Sequence, residues 1–328
     1  MRMLSHAVAL CCAIAPLAAQ QPSVFASRVV AHDDRSQAGG GVFQPGNALG
    51  RADGSVHSLG RGGSLTLGFD LRITDGPGAD LIVSENPFRS LGAPWETFAE
   101  VCFVEVSSDG RNFARLPSRY TGPQVDPGPF AFLNAGFYGG LAGGAAVELA
   151  APDPQDLVEA GGDAFDLADL TGDPLVQAGL VDLRGITEVR LVDAVSGVDL
   201  DAAGVPIRDT GGGGSADIDG VTVLQHQGNQ TARGPRVELT IPADGNFTLT
   251  ISDPDGIGDL DVASLGVALF GVEVDPASLF EIGVVTAVGA DSFTLRLGGS
   301  LPASIPLRMS VAVRDRAGNR SGASRTRP

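Results

Sequence analysis

SLTLGFDL (64–71) places Leu65, Leu67, Phe69 and Leu71 at every second position. Side chains alternate between the faces of a strand, so this spacing puts four apolar groups on one face and predicts a half-buried strand. Shorter β-rich runs repeat the theme at VCFVEV (101–106), EVRLVD (188–193) and GVTVL (220–224). The segments between them, such as TDGPGAD and SSDGRN, carry the Gly, Pro and Asp of turns. Many short strands joined by such turns, with no long helical period, predict an all-β chain built as an antiparallel jelly roll or β-sandwich. DPQDLVEAG (153–161) and AFDLADLTG (164–172), with acid-rich starts and apolar residues at mixed spacing, are expected to form one or two helical turns each.

The pattern breaks at GNQTARGPR (228–236), a polar stretch with Gly and Pro that suits a linker. A second strand set follows, VELTI, FTLTI, FTLRL and then PLRMSVAVRD, in which Leu307, Met309, Val311 and Val313 alternate. The expected organisation is a jelly-roll domain over 22–228, a linker over 229–235 and an Ig-like β-sandwich over 236–328. The late DRAGN (315–319) resembles the closing strand and turn of bacterial Ig-like domains. At the other end, Met1-Arg2, an apolar run from Leu4 to Leu17 and the pair Ala18-Ala19 read as a signal peptide over 1–19. The run is too short for a membrane-spanning helix, which needs about 20 residues. The expected location is outside the cytoplasm, either extracellular or at the cell surface.

The chain carries 39 acidic residues against 22 basic ones, all arginine, for a formal charge of −17. Such a surface repels nucleic acid and anionic lipid and attracts cations. Once the signal is removed only Cys102 remains, so no intrachain disulfide is expected. The histidines form no i, i+4 pair of a zinc protease. No Gly-x-Ser-x-Gly elbow occurs, and Gly211–Gly214 is not followed by the Lys-Ser/Thr of a phosphate loop. Paired carboxylates for glycan hydrolysis remain open, because any two acids can meet in space.

Several blocks occur in an order that resembles an exported bacterial cell-surface protein family of planctomycete, myxobacterial and Bacteroidetes type. They are FQPGNALG (43–50), SLGRGGSLTLGFD (58–70), ITDGPGADLIVSEN (73–86), FAEVCFVEVSSDGRNFARLPS (98–118), GDAFDLADL (162–170), VRLVDAV (189–195) and IRDTGGGGSADIDGVTVL (207–224). The resemblance implies a jelly roll related to galactose-binding-like sandwiches and a place at the cell envelope. Two blocks depart from the family: Ser84-Glu85-Asn86 stands for its Phe-Glu-Asn, and Ser215-Ala216-Asp217-Ile218-Asp219 for its Gly-Phe-Asp-Leu-Asp.

These blocks concentrate oxygen donors in turns: Asp75, Asp80, Glu85, Asn86, Asp109, Asp193, Asp209, Asp217 and Asp219. Calcium takes six to eight oxygens, and Gly-rich loops let carbonyls join the side chains, so these nine are candidate Ca2+ ligands. Asp and Asn also favour turns by bonding their own backbone, which is the competing reading. SDPDGIGDLD (252–261) spaces Asp253, Asp255, Asp259 and Asp261 around two glycines without matching an EF-hand, and reads first as a turn between strands, with a metal as the alternative. Trp95, with Phe137 and Tyr138 in the Gly-rich stretch 128–144, is a candidate ligand-binding aromatic set. The reading that follows is a non-enzymatic binding or adhesion protein whose partner is a surface ligand, a glycan or another envelope protein. Carbohydrate binding would need exposed aromatics around Trp95 or in 128–144. Glycan hydrolysis would need two carboxylates across a cleft.

Overall fold

A computed structural model describes residues 22–35, 41–212, 214–229, 233–244, 246–297 and 305–327. The expected signal peptide and residues 230–232 of the expected linker lie outside the described residues. The chain is all-β, with its sheets in two groups.

In the first group one sheet runs Arg28–Asp33, Ser64–Ile73, Ile186–Asp193, Cys102–Ser107, Ala114–Arg115, and the other Asp163–Phe165, Leu81–Glu85, Asp217–Val223, His57–Ser58. Every pairing is antiparallel. From Ser64 onward the long strands alternate between the two sheets, the wrapping of a jelly roll. Leu65, Leu67, Phe69 and Leu71 are buried as their spacing requires, and the first two join Leu81, Val83, Val221 and Val223 in the core between the sheets. The strand Cys102–Ser107 is buried on both faces: Cys102, Val104 and Val106 point into that core. Val101 and Phe103 point to a second cluster with Tyr120, Tyr138, Leu141 and Ile207. The Gly-rich stretch 128–144 is thus partly a cover over the back of a sheet.

The second group has two four-stranded antiparallel sheets. One is Arg236–Thr240, Phe247–Ser252, Ser292–Leu297, Val284–Val288, and the other Val272–Glu273, Leu260–Leu269, Arg308–Asp315, Arg320–Thr326. Leu307, Met309, Val311 and Val313 are buried in a core of its own with Leu249, Ile251 and Leu295.

The helix expected at 153–161 does not form, and 164–172 holds a single 3-10 turn. Asp153 accepts from the Gln155 amide at 2.9 Å, and Asp156 accepts from the Val158 and Glu159 amides at 3.0 and 3.2 Å. These bonds hold the segment as a run of turns. The second segment is the strand Asp163–Phe165 followed by a single 3-10 turn, Leu167–Leu170, capped by Asp166. Short helices occur instead at Pro174–Gln177 and Pro276–Ile282, each begun by an Asp cap with Pro at the first position.

The two sandwiches meet directly. Arg308 Nη1 donates to Asp163 Oδ1 at 2.5 Å, with both side chains buried. The other oxygen of Asp163 accepts from the amides of Gly143, Gly144 and Ala145 at 2.8, 3.0 and 3.2 Å. Around this pair, Arg320 and Arg314 reach Asp153, and Arg325 reaches Asp166 and Asp169. The backbones also touch: Ala79 N donates to Gly322 O at 2.8 Å. Gly78 has φ +83°, and a Cβ there would lie 2.2 Å from Gly322 O, so the close approach requires glycine. Removing one partner of a buried ion pair leaves the other charge stranded, at a cost of about 3–5 kcal/mol. R308M is therefore expected to destabilise the protein by about that amount in urea unfolding, and D163N/R308M to cost less than the two single losses combined.

Candidate functional site

Four of the expected ligands come together at one end of the first sandwich. Glu85 closes the strand Leu81–Glu85 and is 2% exposed. Its Oε1 accepts from Asp217 N at 2.9 Å, while Oε2 has no hydrogen-bond partner among the described residues. Asp217 accepts at 2.5 Å from Ser58 Oγ on the neighbouring strand. Asp193 accepts from the amides of Gly62 and Ala216 at 2.8 and 3.1 Å, and Asp209 from Gly211 N at 3.3 Å.

Glu100 completes the group and was absent from the expected set. A Cβ at Gly211 or Gly214 would lie 2.4 or 2.0 Å from Glu100 Oε1, so the glycine run closes over this carboxylate. Gly211 and Gly214 are therefore a lid on an acid. A signal for Glu100 was available: it is in phase with Cys102, Val104 and Val106, whose side chains face the core. Glu100 lies two residues before that strand, and carrying the same parity back to it turns the acid inward, where it is half-buried.

Burial raises the carboxyls of this group, and each acid then raises its neighbours. Glu85 is pushed well above the usual range by burial, with Glu100, Asp217 and Asp163 adding. Glu100 is pushed up to about 8 by burial and then by Asp217, Asp209 and Asp193. Asp209 rises to about 7 through burial and Asp193, and Asp193 to about 6 chiefly through burial. Burial also raises Asp217. Arg61 opposes the rise at Asp193 and Asp209.

The remaining expected ligands lie elsewhere. Asp75 and Asp80 meet Asp166, with carboxylate oxygens within 4.8 Å of one another. Asp80 accepts from the amides of Gly76 and Leu167, and Asp166 is bound by Arg325 at 3.0 Å, so this trio already carries a cation from the second sandwich. Asp109 is turn chemistry: it accepts from the amides of Arg111 and Asn112, and these bonds hold its carboxyl low. Asp219 brackets the amides of Asp53 and Gly54. Asn86 is exposed beyond the strand end. Asp109 and Asp219 lie outside the group around Glu85, and their oxygens accept from backbone amides as those of Asp193 do.

The aromatic set also changes. Tyr138 is 1% exposed and donates its hydroxyl to Arg208 O, and Phe137 packs beside it, so both belong to the core covering the sheet. Trp95 is 46% exposed, as are Phe88 at 52% and Phe130 at 77%. Phe98 stacks nearly parallel with Phe88 at 4.8 Å and with Phe130 at 5.9 Å, and Phe132 meets Phe88 edge-on. Phe130 has φ 59°, a left-handed conformation that a bulky side chain rarely adopts. Its amide donates to Thr210 O at 3.1 Å, and Thr210 is bonded in turn to Ala99, between Phe98 and Glu100. The aromatic platform and the buried acids are thus fastened to the same two segments. Neither family models nor curated proteins give a match to the chain.

The raised carboxyls fix the sign of a pH dependence. Glu100, Asp209 and Asp193 bind protons more tightly folded than unfolded. The stability this gives is complete below the ordinary values of 4.5 and 3.8, and is lost as pH rises through about 6, 7 and 8. His57, lowered by burial, acts oppositely below its ordinary 6.5. Chelator-treated protein is therefore expected to show a higher urea midpoint near pH 5 to 6 than near pH 8, and E100Q to flatten that difference.

Proposed function

We propose that this protein is an exported, non-enzymatic binding or adhesion protein whose recognition face is the aromatic group of Phe88, Phe98 and Phe130, with the exposed Trp95 three residues before Phe98. The observation that carries the reading is Phe130. Holding a non-glycine residue at positive φ costs on the order of 1–3 kcal/mol, and such strain concentrates at functional positions. Here it presents a ring that is 77% exposed and aligned with two others. Exposed, aligned rings favour a sugar as the ligand, because the flat apolar face of a pyranose stacks on them. Export is supported by the N-terminal signal pattern and by the resemblance to exported cell-surface proteins. The second sandwich is read as an Ig-like module carrying the first.

Calcium belongs to the same proposal. Glu85, Glu100, Asp193, Asp209 and Asp217 are hard oxygen donors of the kind calcium takes, and Oε2 of Glu85 is buried with no hydrogen-bond partner among the described residues. No three of them bring carboxylate oxygens within 4.8 Å of one another, so an ion would have to draw them in. Bound there, the ion would neutralise the acids beneath the platform and hold the 209–214 segment on which Phe130 hangs. Glu85 is 2% exposed and Glu100 lies under Gly211 and Gly214, which supports a structural use of these acids over hydrolysis.

Two measurements test the reading. Immobilised polysaccharides probed with the chain lacking residues 1–19 should retain it, and F88A/F130A should lower retention about tenfold or more with an unchanged melting midpoint. Retention that survives the double substitution would remove the platform from the proposal. Millimolar calcium at pH 8 should raise the midpoint, as a ligand of the native state must, and E100Q should abolish most of that rise.

A further inference from the structure

The second sandwich contains an acid group that the binding proposal does not use. In the turn joining Phe247–Ser252 to Leu260–Leu269, carboxylate oxygens of Asp253, Asp255 and Asp259 lie within 4.8 Å of one another. Clustered acids in a turn are common without an ion, and one oxygen of Asp253 has an ordinary turn role, accepting from Asp255 N at 2.8 Å. Its other oxygen is different. Asp253 is 0% exposed, and Oδ2 is buried with no hydrogen-bond partner among the described residues. A buried carboxylate oxygen without a donor is costly, and the surroundings raise the cost. Asp315, Asp259 and Asp255 all act on Asp253 in the direction that disfavours its charge.

Asp315 is held by Asn319, whose amide and side chain both donate to it, and Arg316 N donates to Asp259 O, so the DRAGN turn is the second wall of the group. The recorded cation is Arg233, which pairs with Asp255 Oδ1 at 2.7 Å from a side chain that is 76% exposed. It reaches the outermost acid and leaves Asp253 unmatched.

We propose that the turn Ser252–Asp261 is a divalent-cation site, with Asp253, Asp255 and Asp259 as carboxylate ligands and calcium as the ion. The donors are all oxygens, with neither His nor Cys in the group, which favours a hard cation. Calcium–oxygen distances are about 2.3–2.6 Å, so two oxygens on opposite sides of one ion stand about 5 Å apart. The carboxylate oxygens of the three residues, all within 4.8 Å of one another, fall inside that limit. The turn is open to solvent and its ligands are few, so the affinity expected is that of extracellular modules, on the order of 10⁻⁴–10⁻³ M. Asp261 stays outside the site, its carboxylate engaged with Ala263 N.

The test is hydrogen exchange of the full chain, read by mass spectrometry with calcium chloride or with sodium chloride at matched ionic strength. Millimolar calcium should slow exchange in peptides covering 252–261 and 315–319, and D253N/D259N should remove that protection. The same variant should keep any calcium protection near Glu85 and Glu100, which separates failure here from failure of the first site. Asn at 253 retains the oxygen that accepts from Asp255, so the variant should fold, and its melting midpoint without calcium verifies this. Absence of protection over 252–261 in the unsubstituted chain, or protection that persists in D253N/D259N, would overturn the proposal.

Discussion

Asp163 divides its two carboxylate oxygens between tasks that together set the shape of the molecule. One oxygen gathers three consecutive amides of the segment Gly143–Ala145, and the other receives Arg308 from the second sandwich. Burying a carboxylate and a guanidinium is expensive, and the pair is tolerable only because every strong acceptor lobe on Asp163 is met. Arg308 also donates to Gly162 O, so the arginine fits a pocket whose depth depends on both sandwiches being in place. The cavity of about 180 Å³ beside it is lined by Arg119, Asp169 and Arg325 as well, so charged groups of both sandwiches surround the pair.

The remaining arginines follow the same logic. With no lysine in the sequence, every basic contact at the junction is a planar, multi-donor guanidinium that can bridge two acids. Arg325 spans Asp166 and Asp169, and Asp153 takes both Arg314 and Arg320. Acids that meet an arginine become joints between the sandwiches. Away from the junction, Glu85 and Asp253 each keep a buried carboxylate oxygen with no hydrogen-bond partner among the described residues.

Strand positions were legible because alternation is local: Leu65 to Leu71 and Leu307 to Val313 declare their buried face within eight residues. The two sandwiches followed from counting such runs. What failed was also local, since an Asp near a candidate helix can cap it or unmake it. Asp153, Asp173 and Asp275 are each followed by Pro and each accept from the amide two residues on, yet only the last two begin helices. The candidate site was half visible. Glu85, Asp193, Asp209 and Asp217 could be named from their turns, but separating them from Asp109 and Asp219 needs to know which amides each oxygen meets. Asp163 and Arg308 stand 145 residues apart, and no spacing rule links them.

The contact between Gly322 and Ala79 gives the molecule a mechanical character. The final strand, Arg320–Thr326, is stitched laterally to the first sandwich by Ala79 N to Gly322 O, by Ser321 Oγ to Pro77 O and by Gln225 Nε2 to Arg320 O. Tension applied along that strand would be shared by these crosswise bonds loaded together in shear, and would not be carried by residues 229–235 alone. A pull along this strand would therefore be felt in the first sandwich through these bonds as well as through the connecting chain.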